Sequence, residues 1–599
     1  MTIKTTFTSL GGGGSSKQSV IFRFTLPSNN QYVALPMGGG ANSQNLALPK
    51  SVTVDWGDGT VETKTMSGYW EHRFTSAGTY DVTISSDGGI PCPIKDYSTS
   101  DYYTRLLTAV VSCDCTWLGY SSNGWVSPTT VEYWFYSCSN LTSVPANIFE
   151  SCPNATSANS TFYGCTNLAS IPSGLFDNNP LIANFTSTFH MCKAITSIPT
   201  GLFDNNTLVT SFKNTFNTCN QLTAIPTGLF DNNTEVTTFE SVFNTCSQIS
   251  SIPSGLFVYN TKVTSFKYAF SYLTMTSIPS GLFDTNTLVT DFTGAFSNCS
   301  RLTTVPTGLF DKNTAVTTFN NTFGSCTSLT TVPSGLFDKN TAVTDFGWLF
   351  RNSSNFDTIP TGLFDKNTLV TNFSATFMGT KITSIPTDIF KLNTAVTSFE
   401  SCFHSTKITS IPTSLFSTNT AVTNFADCFN TCRQLTSIPG ALFLNNGNVT
   451  TFNGTFGYCS NVTSLPTGLF EGNSRVLNFS YCFQDCSVLA SVPNGLFAAN
   501  AVATNFKGCF SACLCLVLNP NIFSTTESTT RFASVSGTNF QNMFNRTLYS
   551  GVQGTAPALW TYTFPDTPTS SGCFGGNGNN ATTVSNYSSI PTTWGGPAT

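Results

Sequence analysis

Apolar residues recur along this chain in gaps of three and four, and the whole set returns every 26 or 27 residues. Around Pro226 the set is Leu222, Ile225, Leu229, Phe230, Val236, Phe239 and Phe243. No period of two is sustained, so each repeat holds only a short strand and turns several corners round a narrow core. Aligned on one proline, fifteen repeats run from Pro145 to Pro520, spaced by 27 residues with three gaps of 26. A fixed period of this size predicts a solenoid, in which each coil buries its apolar face only by stacking on its neighbours.

Within a coil the proline cannot donate to a sheet ladder, so the short strand is expected just before it, at segments such as "LTAI" (222–225). A turn of helix is expected over "FKNTFNTC" (212–219). Asparagine stands seven residues after the proline in thirteen consecutive coils, among them Asn206, Asn233, Asn260, Asn313 and Asn340. An amide carries two donors and an acceptor, and the expectation is a buried ladder linking neighbouring coils. Pro226, Phe239 and Phe243 stand for the remaining structural positions. The glycine of "TGLF" is expected to take a positive φ in a turn.

The flanks break the period. "VIFRFTL" (20–26) and "SVTVDWGDGTVETK" (51–64) alternate apolar and polar residues round glycine turns, as a small antiparallel sandwich does. The division is then a flexible arm with a Gly hinge at 1–19, a sandwich at 20–87, a linker and first cap at 88–130, the repeats at 131–523, and degenerate repeats at 524–599. The last segment reads as a cap or as a receptor-binding tip.

Two resemblances follow from these residues. "LTAIPTGLFDNNTEVTTFESVFNTC" resembles the BspA-type leucine-rich repeat of bacterial surface proteins, over about 131–523. Asp55-Trp56-Gly57-Asp58-Gly59, His72-Arg73-Phe74 and Ala77-Gly78-Thr79-Tyr80 resemble the polycystic-kidney-disease-type (PKD) immunoglobulin-like domain. Together they imply a mostly β chain: a PKD-like β-sandwich, then a right-handed leucine-rich-repeat-like solenoid of about 15 coils with short strands and short helical or 3-10 turns. The proline departs from the usual strand continuation of the repeat, which leaves strand length open. Such surface repeats imply adhesion without catalysis.

Composition narrows the function. Formal charge is −5 and only 9% of the 599 residues are charged, so the chain has no basic face for nucleic acid and no polybasic membrane patch. No stretch is long and apolar enough for a spanning helix. "MTIKTTFTSLGGGGSSKQ" lacks the apolar run of a secretory leader, which points to a chain that leaves its cell without that pathway, as a virion component released by lysis does.

Candidate chemistry is thin. Three histidines leave little for acid–base work, and His72 with Asp58 reads as a turn brace. Eleven of 21 cysteines fall three residues after the second Phe of a coil, a seat that Leu273, Thr380, Thr406 and Ser353 also fill. That seat reads as packing, and the i,i+4 pairs such as Cys428/Cys432 lack a histidine for zinc. No unique carboxylate pair stands out for a glycosidase. Catalytic residues, metal and cofactor are each expected to be none.

Specificity must lie where the repeat varies, between the two Phe of each coil. Lys213, Lys267, Tyr268, Trp348 and Tyr481 are the candidate ligand contacts there. Trp348 either offers an aromatic face to a sugar ring or fills space in its cysteine-less coil. The expected function is a non-enzymatic tail fibre, head fibre or similar appendage of a bacteriophage, on the virion surface. The arm or PKD-like domain would dock on other virion proteins and the coils would meet a host glycan or protein. Resemblance to fibre appendages adds a homo-oligomer as an option. A bacterial cell-surface adhesin and a passive spacer are the alternatives; neither nucleic acid nor membrane insertion is expected.

Overall fold

The computed structural model describes residues 18–36, 52–64, 69–86, 90–91, 106–114, 117–121, 124–126, 128–524, 529–545, 554–575 and 584–597. Of the expected arm at 1–19, residues 1–17 lie outside them, and Gln18 and Ser19 belong to the first strand. The chain divides into two compact units, 1–236 and 237–599, each taken in turn.

The first unit opens with ten strands: β1 (Gln18–Leu26), β2 (Gln31–Pro36), β3 (Val52–Asp55), β4 (Val61–Lys64), β5 (Tyr69–Phe74), β6 (Gly78–Ser86), β7 (Ile90–Pro91), β8 (Leu107–Asp114), β9 (Trp117–Ser121) and β10 (Gly124–Val126). An antiparallel sheet runs β4-β3-β6-β1-β8, and β2 pairs with β5. Alternation places Val20, Phe22, Phe24 and Leu26 of β1 inside with Val52, Val54, Val82 and Ile84. Val33, Trp56 and Phe74 are buried with them.

β8 lies in the segment that the sequence reading gives to the linker. It pairs antiparallel with β1 and also bridges Ser143 in parallel through Ala109. Thr142 N donates to Thr108 O at 2.8 Å and Val110 N to Ser143 O at 3.1 Å. One strand is thus both the edge of the antiparallel sheet and the first rung of the coils. The apolar end of the stack meets main chain there rather than water.

The coils after it stack in register. Asn179 Nδ2 donates to Phe149 O and Cys152 O, Asn206 to Phe176 O and Asn179 O, and Asn233 to Phe203 O and Asn206 O, at 2.7–3.4 Å. The second unit has the same ladder: Asn313 bonds Phe283 O and Asn286 O, and Asn340 bonds Phe310 O and Asn313 O. Asn286 bonds the carbonyl of Asn260 at 2.9 Å. All of these asparagines are fully buried. The second amide proton and the neighbour's carbonyl therefore find each other away from water, as a buried backbone requires.

Three columns of phenylalanine fill the core. In the second unit Phe319 stacks on Phe346 at 5.9 Å, Phe323 on Phe350 at 6.1 Å and Phe310 on Phe337 at 6.2 Å. Phe239 and Phe243 head two of the columns, stacked on Phe266 and Phe270. Rings of different columns meet tilted, as Phe310 and Phe319 do at 4.7 Å and 55°. Offset and edge contacts of this kind suit the ring quadrupole.

Two local expectations change. The "LTAI"-type segment forms a bridge only at places such as Ser277↔Thr304 and Ser464↔Ser491. The steady parallel bridge falls instead just before the first Phe, as in Asp291↔Thr318↔Asp345↔Asn372. The expected helical turn is a run of β-turns. Thr322 N bonds Phe319 O and Cys326 N bonds Phe323 O, with Asn321 and Ser325 at φ 55° and 58°. A positive φ at the third residue breaks a helix and sets each turn. Between turns the N–H groups of Phe319, Asn321, Phe323 and Ser325 all donate to the following coil. Among the described residues the 3-10 helices are Leu559–Thr561, Tyr587–Ser589 and Thr592–Trp594, beyond the regular coils.

Past Phe523 the stack continues through Asn505↔Asn539↔Thr569 and Leu518↔Gly554↔Val584. Trp594, buried, packs near Phe540 at 5.8 Å.

Candidate recognition surface

The turn run sets two recurring positions in each coil, and at the first of them Trp348 is exposed and Tyr268 and Tyr481 are half-buried. In each coil two residues take positive φ, four apart and either side of the second Phe, and the first changes in size and polarity from coil to coil. In the second unit it is Ser241, Tyr268, Gly294, Asn321, Trp348, Ala375, Ser401, Asp427, Gly454, Tyr481 and Gly508. Its own N–H donates to the following coil, as Tyr268 N does to Thr293 O and Trp348 N to Ser374 O, both at 2.8 Å.

Trp348 is 43% exposed. It does not fill the seat of the missing cysteine, because Ser353 does: its Oγ donates to Phe323 O at 2.8 Å and accepts from Cys326 N. The Arg351 guanidinium lies 4.4 Å from the Trp348 ring centroid. In the same coil Asp345 is fully engaged. Its Oδ1 accepts from Gly347 N at 2.8 Å and Asn372 Nδ2 at 2.7 Å, and its Oδ2 from Asn320 Nδ2 at 3.0 Å. Gly347 is required in this knot, since a Cβ there would sit 2.8 Å from Asn372 Nδ2 and 3.0 Å from Asp345 Oδ1.

Tyr268 and Tyr481 occupy the same column. Each ring covers the glycine that follows in the next coil, so close that a Cβ on Gly294 or Gly508 would meet it at 2.1 or 2.6 Å. Lys267 Nζ stands 5.9 Å from the Tyr268 centroid. At about 4.8 Å per stacked coil, Tyr268 is roughly 14 Å from Trp348 and Tyr481 roughly 24 Å. The three aromatics share a face without touching. Lys213 belongs to the first unit and stands half-buried one position earlier in its coil. Arg351 and Asp345 were missed in the sequence. Their signal was an Arg where the adjoining coils carry Gly324 and Met378.

The other chemistry-bearing groups serve the scaffold. Asp58 Oδ2 meets His72 Nε2 at 2.7 Å, and Asp58 Oδ1 accepts from Thr60 N. Partial burial works to raise the Asp58 pKa, but the bonds from His72 and Thr60 outweigh it and hold the carboxyl below its usual range. His72 stacks on Trp56 at 4.7 Å. His190 and His404 repeat one coil position, and burial pushes both pKa values down. Cys326 and Cys459 donate from Sγ to the carbonyl of a Phe in the preceding coil at 3.2 Å. This explains why serine replaces them. Burial pushes the Cys299, Cys432 and Cys486 thiols up to about 12. No group of three or more metal-ligating side chains occurs among the described residues, nor any helix long and apolar enough to cross a membrane. A cleft of about 550 Å³ within the first unit is lined by Thr25, Thr108, Thr142, Asn167 and neighbours, with no titratable group.

The repeating body is a solenoid. No family model and no curated protein matches the sequence. Among solved structures it is similar to a chain of the Toll–Spatzle complex of Drosophila, at 15% identity and TM-score 0.33, over 69% of this chain and 50% of that one. It thus spans half the length of that chain. It is also similar to a leucine-rich cell surface protein of Faecalibacterium prausnitzii, at 18% identity and TM-score 0.27, over 61% and 88%. The solenoid itself stands on the ladders of this chain.

Proposed function

We propose that this chain is a non-enzymatic adhesion protein whose recognition surface is the outward column through Tyr268, Trp348 and Tyr481, and that it is carried on a bacteriophage particle as a fibre or similar appendage. The observation that carries the adhesive reading is the contrast at this column. The main-chain N–H of each residue in the column donates to the following coil, while its side chain changes among Trp, Tyr, Asp, Asn, Ser, Ala and Gly. At this column Trp348 presents a 43% exposed indole, an aromatic face of the kind a sugar ring packs against.

The thiols support the virion reading over a bacterial adhesin secreted through an oxidising compartment. Their S–H protons are used in hydrogen bonds to the neighbouring coil, so the fold works with reduced cysteine, as a chain folded in the cytosol has. Docking on other virion proteins through the N-terminal arm (1–19) or the PKD-like domain (20–87) belongs to the same proposal.

Two measurements test it. Mass spectrometry of purified particles should find the chain; its absence from particles and presence on cell envelopes would favour the bacterial adhesin. Purified chain should bind whole cells of the host, and Trp348→Ala should weaken that binding with an unchanged melting temperature. Undiminished binding would remove Trp348 from the surface.

A further inference from the structure

The recognition column carries two cations set over aromatic rings. Arg351 lies 4.4 Å from the Trp348 centroid, and Lys267 5.9 Å from that of Tyr268. Asp345, in the same coil as Arg351, is not its partner. Asp345 spends both oxygens on Gly347 N, Asn372 and Asn320, and no ion pair to Arg351 or Lys267 is present among the described residues. A guanidinium stacked on an indole keeps its N–H donors in its own plane, directed to its rim, where they suit a carboxylate bidentately.

We propose that these two pairs are subsites for an acidic glycan. Trp348 and Tyr268 would take the apolar faces of sugar rings, while Arg351, and secondarily Lys267, bind sugar carboxylates. The proposal rests on the adhesive reading above and narrows it to one ligand class. Three further features support the assignment. The same column position in the adjoining coils holds Asn321 and Ala375, neither of which carries a charge that would repel a carboxylate. The two pairs stand about 14 Å apart along the column, a span for a short oligosaccharide lying along the stack. Finally, the chain as a whole is acidic, at −5. General attraction to anions is therefore absent, and binding of a polyanion would need local cations such as these.

The test uses the full chain on an array of uronate- and sialate-containing saccharides, each printed beside its neutral or methyl-esterified counterpart. Wild type should prefer the acidic member. Arg351→Gln should lose about tenfold or more in affinity for it, as expected for a charge-assisted bidentate contact, and become indifferent to esterification. Arg351→Lys should recover part of the loss, and Trp348→Ala should weaken acidic and neutral forms alike. Equal binding of acidic and neutral saccharides, or an Arg351→Gln variant that behaves as wild type, overturns the acidic assignment but leaves the adhesive reading intact. Binding to neither array saccharides nor host cells removes both.

Discussion

Arg531 takes the place of the next asparagine above Asn500. Its Nη2 donates to Asn500 O at 2.8 Å and Phe497 O at 2.7 Å. Asn500 Nδ2 makes the equivalent two bonds one coil down, to Asn473 O at 2.9 Å and Phe470 O at 3.2 Å. The guanidinium also lies near Phe523 and Phe532, at 5.5 and 5.2 Å, and burial pushes its pKa down to about 10. The amide ladder thus ends in a side chain long enough to reach across the stretched coil that follows. Arg531→Met would keep the stem and strand those carbonyls. The expected cost is about 1–3 kcal/mol, with faster amide exchange in residues 497–545 by hydrogen exchange.

Each rung inside the ladder should be costly on its own. Asn340→Ala leaves Phe310 O and Asn313 O without their amide donor in a fully buried site. A loss of about 1–3 kcal/mol is expected in denaturant melts, against nearly none for the exposed Thr341→Ala. Asn340→Asp should be worse than alanine, because a carboxylate would face two carbonyl oxygens.

The column aromatics and their glycines form testable pairs. Gly294→Ala would force a methyl into the Tyr268 ring at a residue with φ 61°. The single variant should lose more than about 1 kcal/mol, and adding Tyr268→Ser should restore part of it in a double-mutant cycle. Strict additivity would mean the ring does not rest there.

Cysteine accessibility gives a chemical check of the stack. Among the described cysteines Cys515 is exposed and the others are buried. Alkylation of native protein at pH 8 should mark Cys515 and spare Cys299, Cys326 and Cys432, read by peptide mass spectrometry. Cys326→Ser should fold, since Ser353 makes the same bond one coil on.

The sandwich carries the acid sensitivity. Asp81 is held below its usual pKa chiefly by the hydrogen bond from Arg23, at 2.7 Å, and Asp58 by His72 and Thr60 against partial burial. A depressed carboxylate contributes stability above its unfolded pKa, near 4, and loses it as pH falls through the lower folded value. Thermal melts by near-ultraviolet circular dichroism should show this loss below about pH 4, and Asp81→Asn should flatten it.

Much of this fold was legible because stacking makes each coil repeat its constraints. The period, the buried Asn206-to-Asn340 series and the Phe239 and Phe243 columns were all readable as recurrences. The turn run at 212–219 was not, because Phe at i and i+4 fits a helix and a pair of turns equally well. The Asn, Ser and Gly at the positive-φ positions were the available signal. β8 was hidden since one strand serves two partners, and Arg531 since it performs an amide's role with a different side chain. Of the candidate contacts, Trp348, Tyr268 and Tyr481 share a column, whereas the Arg351–Asp345 division of labour depends on contacts between coils that no single repeat displays.

The most direct test is binding of the full chain to host cells by a triple variant, Tyr268→Ser, Trp348→Ser and Tyr481→Ser, measured beside its thermal melt. The account predicts binding lost with the fold retained. Binding kept at wild-type strength by a folded triple variant would contradict it.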